Sequence, residues 1–114
     1  MERTIQVTQA DIDQDRKYRA EDSTDPNGYN YLKDICTHCA LAQAFKRQGF
    51  PDVYIGCVQF WPYGAESSET RAFLVRMPID MAVWRERNDR NPNVAIEPAT
   101  FVVDIPDRPV IQSA

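Results

Sequence analysis

Glycine and histidine are scarce in this chain: four glycines and one histidine, His38, in 114 residues. With so few glycines there is no glycine-rich loop to cradle a phosphate. With one histidine there is little room for a Ser-His-Asp or Cys-His-Asn arrangement beyond His38 paired with Cys36 or Cys39. Positive charge is also short. Thirteen basic residues stand against seventeen acidic ones, for a net charge of −4. A groove for nucleic-acid backbone needs clustered positive charge, so direct nucleic-acid binding is not expected. No apolar run approaches the ~20 residues of a membrane span. The N-terminal MERTIQV lacks the basic region and apolar core of a secretory signal, so a cytoplasmic location is expected, without membrane association. Three cysteines make an odd and sparse set, unlike a secreted disulfide scaffold, and read as reduced thiols.

What remains is 43% hydrophobic and 26% charged, the composition of a globular protein. It is read as a single domain, 1–114, with one modest core. Ile5 and Val7 alternate with Thr4 and Gln6 as in a short strand. Thr8 with Asp11 three residues on resembles a capping box and predicts a short helix to about Gln14. Residues 15–34 read as a long loop around the turn-forming Asp25-Pro26-Asn27-Gly28. Small and apolar residues from Ile35 to Gln48 predict a buried helix whose alanines allow close approach to a sheet. Lys46 and Arg47 suit its last turn and Gly49 its stop.

Val53–Phe60 and Arg71–Arg76 predict two strands joined by a long-looped hairpin. Pro78 starts a helix over 79–88 with Ile79, Val83 and Trp84 inward. ATFVVDI predicts the last strand, with Phe101, Val103 and Ile105 on one face. Pro106 and Pro109 leave a loose C-terminal tail, 106–114. The expected fold is α+β, in the order β-α-α-β-β-α-β. It is a small, mostly antiparallel sheet of three or four strands with two main helices on one face.

The most chemical-looking stretch is CTHC. Cys36 and Cys39 have zinc-ligand spacing, with Cys57 and His38 as further candidate ligands for a structural zinc ion. On a helix, however, His38 points ~100° away from Cys39, so all of these can hardly reach one ion. A CxxC at a helix start could equally do thiol–disulfide chemistry, with Cys36 activated by the helix dipole. That context requires a buried parallel strand directly before the motif, and NGYNYLKDI is not one. The preferred reading is packing. Free cysteine behaves as a small hydrophobe, and Cys57, sharing a face with Val53 and Ile55, would meet Cys39 or Ala42 across a helix–sheet contact.

Five stretches in order carry a resemblance: IQVTQADI, CTHCALAQA, VYIG, MPIDMAVWRERND and EPATFVVDI. Together they resemble a family of short uncharacterised proteins of phages, prophages and bacteria. That family has the pattern I-x-V-T-x-x-D-I, then C-x-x-C-P-x-A-x-A, then a final P-x-x-F strand. Ala40 stands where the family has proline, and the 15–34 loop is longer. The resemblance implies a small α+β fold and a phage or prophage origin, and it brings no catalytic residues.

The aromatic residues are unevenly placed. Tyr18, Tyr29 and Tyr31 fall in the long loop, and Trp61 and Tyr63 in the hairpin loop. Such residues are frequent interface anchors, and loops on a rigid scaffold display them well. The same rings could instead cover the core. Residues 11–34 hold seven acidic against four basic residues, yet DIDQD lacks the glycine and terminal glutamate of a calcium loop. With no evident nucleophile–base pair and no expected cofactor, the sequence reads as a small non-enzymatic module. It would bind a protein partner, as a phage host-takeover or anti-defence inhibitor in the host cytoplasm. The alternatives are a thiol-redox or zinc protein using Cys36 and Cys39, and a small-ligand binder with a pocket under the 15–34 loop.

Overall fold

The computed structural model describes residues 1–22, 37–90 and 96–108. Tyr29, Tyr31 and Cys36 lie outside them. The described elements are β1 (Glu2–Val7), α1 (Gln9–Asp22), α2 (Ala40–Arg47), β2 (Tyr54–Ile55) and β3 (Gln59–Trp61). They continue with α3 (Ser68–Arg71), β4 (Val75–Arg76), α4 (Ile79–Arg90) and β5 (Ala99–Asp104). The α+β class and the antiparallel pairing are shown. The strands divide between two sheets, β1-β5 and β2-β3-β4, where one sheet was expected.

The start of α1 follows directly from Thr8 and Asp11. Asp11 N donates to Thr8 Oγ1 (3.3 Å) and Thr8 N donates to Asp11 Oδ2 (2.9 Å), the reciprocal bonds of a capping box. The helix then runs on to Asp22, so residues 15–22, expected in a loop, are helical. Propensity explains this: Arg, Lys, Ala and Glu are good helix formers even without an apolar stripe.

α2 is the buried centre. Ala40, Leu41, Ala42, Ala44 and Phe45 are all inaccessible to solvent. The helix packs on α1, β1 and β2. The helix expected over Ile35–Gln48 is interrupted: the chain is helical at Thr37 and His38, bends at Cys39, and only then enters α2, while Ile35 lies outside the described residues. The other end is a Schellman motif. Phe50 N donates to Phe45 O (2.9 Å) and Gly49 N to Lys46 O (3.4 Å). Gly49 takes φ +108°, which side-chain-bearing residues rarely adopt. The motif's usual apolar contact is here an edge-to-face pair, Phe45 on Phe50 at 5.9 Å.

The last residue of this helix and its C-cap fasten it to β1. Arg47 Nη2 donates to Gln6 O (2.8 Å) and to Asp11 Oδ2 (2.9 Å). The Gln48 amide pairs with the Gln6 backbone in both directions, as a neighbouring strand would. Asp11 is nearly inaccessible. Burial alone would raise its pKa, but the hydrogen bonds from Arg47 and Thr8 outweigh this and hold the carboxyl below its ordinary range.

Two further expectations are corrected. Val53–Phe60 is not one strand. The chain turns at Gly56–Val58, so β2 and β3 form a tight hairpin. Cys57 therefore sits exposed in the turn and does not share the inward face of Val53 and Ile55. In α4 the inward residues are Met81, Trp84 and Asn88, while Ile79 is 84% and Val83 48% exposed. Asn88 sets that phase: its Nδ2 donates to Asp15 Oδ2 (2.8 Å), and both side chains are about 99% buried between α1 and α4. Arg16 Nη1 adds a bond to Asn88 O (3.2 Å).

Replacing Asp11 by alanine removes the reciprocal half of the capping box and the Arg47 partner. A loss of about 1–2 kcal/mol, roughly 5–10 °C in Tm, is expected in thermal melts near neutral pH. Because the folded-state pKa is depressed, this stabilisation is complete above the unfolded value of about 3.9 and is lost as pH falls through the lower folded value. The wild-type and variant midpoints should therefore draw together as melts are taken to pH values progressively below about 3.9.

Candidate interaction surface

The outer side of the three-stranded sheet is built by alternation. Ile55, Phe60 and Val75 point to the core, with Phe60 4.8 Å from Phe45. Their neighbours Tyr54, Trp61, Leu74 and Arg76 therefore point outward. Tyr54 and Trp61 are directly opposite across β2 and β3 and meet edge to face at 5.5 Å. The β3-β4 register, extended by one residue, sets Leu74 opposite Trp61. Leu74 is exposed, and Tyr54 and Trp61 are half-buried.

Gly56 packs closely against this row. A Cβ at Gly56 would stand 2.8 Å from Gln59 O and 3.1 Å from the Trp61 ring. The hairpin tip is anchored by the segment after β4 and by α4. Met77 N donates to Val58 O (2.9 Å), and Arg85 Nε donates to Cys57 O (3.1 Å). Val58 at that tip is itself 54% exposed. Beside Tyr54 a cleft of ≈ 450 Å³ opens between the end of α2, β2 and α3, edged by Lys46, Asp52 and Glu66.

Of the tyrosines predicted as contacts, Tyr18 and Tyr63 lie among the described residues, and both are engaged in the fold. Tyr63 is half-buried, packs near Phe50 and Phe73, and donates its hydroxyl to Pro106 O (2.5 Å). Burial, followed by the negative Asp107, pushes its pKa up. Tyr18 is on α1, not in a loop, and stacks on His38 with ring centroids 4.4 Å apart and planes 5° from parallel.

That stack lies at the Thr37–Cys39 turn. The His38 ring lies against Tyr18, with Nδ1 2.9 Å from Thr37 Oγ1. Cys39 is the N-cap residue of α2, 4% exposed, without a side-chain capping bond. Its carbonyl accepts from Gln43 N (2.9 Å). Cys57 lies in the exposed hairpin turn, so the expected contact with the CTHC helix through a shared core face is not formed. Among the described residues no three His, Cys, Asp or Glu side chains are grouped to hold a metal ion.

Comparison with known proteins finds no matching family model, no matching curated protein and no matching solved structure. Among the described residues no helix is long and apolar enough to cross a membrane. The surface must therefore be interpreted from its own chemistry. Trp61 was visible in the sequence. Tyr54 and Leu74 were not singled out, although alternation around Ile55 and Val75 was the signal that could have found them.

Gly56→Ala should force the Trp61 ring and the Gln59 carbonyl apart. A destabilisation of about 1–3 kcal/mol is expected in denaturant titration, with a changed near-UV circular dichroism signal from the displaced indole.

Proposed function

We propose that this protein is a non-enzymatic binding module whose outer β2-β3-β4 face docks on a protein partner. The observation that carries this reading is the cross-strand Tyr54–Trp61 pair on a sheet face, flanked by exposed Leu74 and Arg76. Tryptophan, tyrosine and arginine dominate the energetics of protein interfaces. A cross-strand pair that is already in ring contact on a short hairpin has less freedom to lose on binding. The resemblance of five ordered stretches to short phage and prophage proteins supports a role in host takeover or inhibition of host defence. Tyr29 and Tyr31 remain candidate contacts from the sequence alone. The cofactor-free reading has as its rival a zinc or thiol-redox protein using Cys36 and Cys39.

The test is capture of a partner from host lysate with the wild-type chain, followed by affinity measurement with Trp61→Ala and Tyr54→Ala. Each variant should keep its far-UV spectrum and lose about 2 kcal/mol of binding, roughly 30-fold. Wild-type affinity in both folded variants would overturn the reading. Stoichiometric zinc by elemental analysis, or a thiol titrating well below ~8.5, would favour the rival.

A further inference from the structure

The β1-β5 ladder has two outer edges, and they are treated differently. Met1 and Ile105 exchange both backbone bonds (2.9 Å each). By antiparallel alternation, Arg3–Val103 and Ile5–Phe101 are bonded pairs as well. The N–H and C=O groups of Thr4, Gln6, Thr100, Val102 and Asp104 then point out of the ladder. The bonds from Gln48 and Arg47 to the Gln6 backbone confirm that parity. On the β1 side those two side chains blunt the edge. On the β5 side, among the described residues, the backbone groups of Thr100 and Val102 meet no hydrogen-bond partner. The usual protections are missing there too: residues 99–104 contain no lysine, proline or bulge. Prolines stand only outside the strand, at 98 and 106.

We propose that β5 pairs antiparallel with β5 of a second copy of this chain, about a two-fold axis at Val102. This surface is distinct from the aromatic face described above. The choice of a second copy rests on self-complementarity. In this register Val102, 52% exposed, meets its own counterpart, a β-branched pair of the kind that stabilises sheets. Thr100 of one copy stands opposite Asp104 of the other, so a hydroxyl donor faces a carboxylate twice over. Asp104 Oδ1 already accepts from the Met1 ammonium (2.9 Å), leaving Oδ2 for the threonine. The residues with free backbone groups are 100, 102 and 104, and these form the closely bonded pairs of the new ladder. Phe101 and Val103 stay on the buried side, and the product is a continuous sheet in the order β1-β5-β5-β1. One strand pair is a small interface, at the weak and transient end of the size range, so the dimer depends on concentration.

Sedimentation velocity of the full chain over a wide concentration range tests this, together with amide hydrogen exchange of the wild type. The sedimentation coefficient should rise toward that of a dimer, and the Thr100 and Val102 amides should gain protection with concentration. Val102→Lys sets like charges against each other at the axis. Val102→Pro removes an N–H that β1 does not use. Both should lose the concentration-dependent shift while keeping the wild-type far-UV spectrum. A monomer at all concentrations overturns the proposal. So does association that persists in a folded variant, or exchange at Thr100 and Val102 that is independent of concentration, a result readable even if both variants misfold.

Discussion

Burial of α2 is the constraint on which the rest of this molecule depends. An eight-residue helix does not persist alone in water, and a two-stranded ladder is marginal by itself. Here each supplies what the other lacks. The alanines at 40, 42 and 44 bring the helix backbone close to its neighbours. Leu41 and Phe45 fill the space between, and Phe45 reaches the second sheet through Phe60. The two sheets need no direct backbone pairing because both pack on the same helix.

The polar contacts serve that packing. Arg47 and Gln48 come from the end of α2, and both end on Gln6. Arg47 also closes on the α1 cap through Asp11, so helix, strand and cap share one junction. A guanidinium suits the place because its planar fork can satisfy two acceptors at once, which an ammonium does with less geometric control. Asp15 and Asn88 join α1 to α4 in a similar way, but at a cost. Among the described residues Asn88 Oδ1 is buried without a hydrogen-bond partner, which costs stability because its hydration is lost and not replaced.

Local chemistry was the legible part of the sequence. Thr8 with Asp11 announced the α1 cap, Gly49 announced the end of α2, and the alanine-rich run announced a buried helix. Boundaries decided by tertiary contact were not legible. Nothing near Gly56 carries the two-residue turn chemistry that marks a hairpin, so β2 and β3 read as one strand and Cys57 was placed inside. Ile79 and Val83 suggested one face of α4, but the Asp15–Asn88 bond and Met81 select another. At the candidate surface, Trp61 was found as an aromatic in a loop. Its partnership with Tyr54 depends on a pairing register that composition does not encode.

The pairing of β1 with β5 also bears on how the chain reaches this state. Residues 2–7 have their partners at 99–104, a separation of nearly the whole sequence. Such contacts form late, because a long loop must close before they give anything back. On the ribosome, Ile5 and Val7 stay without their cross-strand neighbours until residues 99–104 have been synthesised. The helical segments can form early, but the β1-β5 ladder waits for its C-terminal strand.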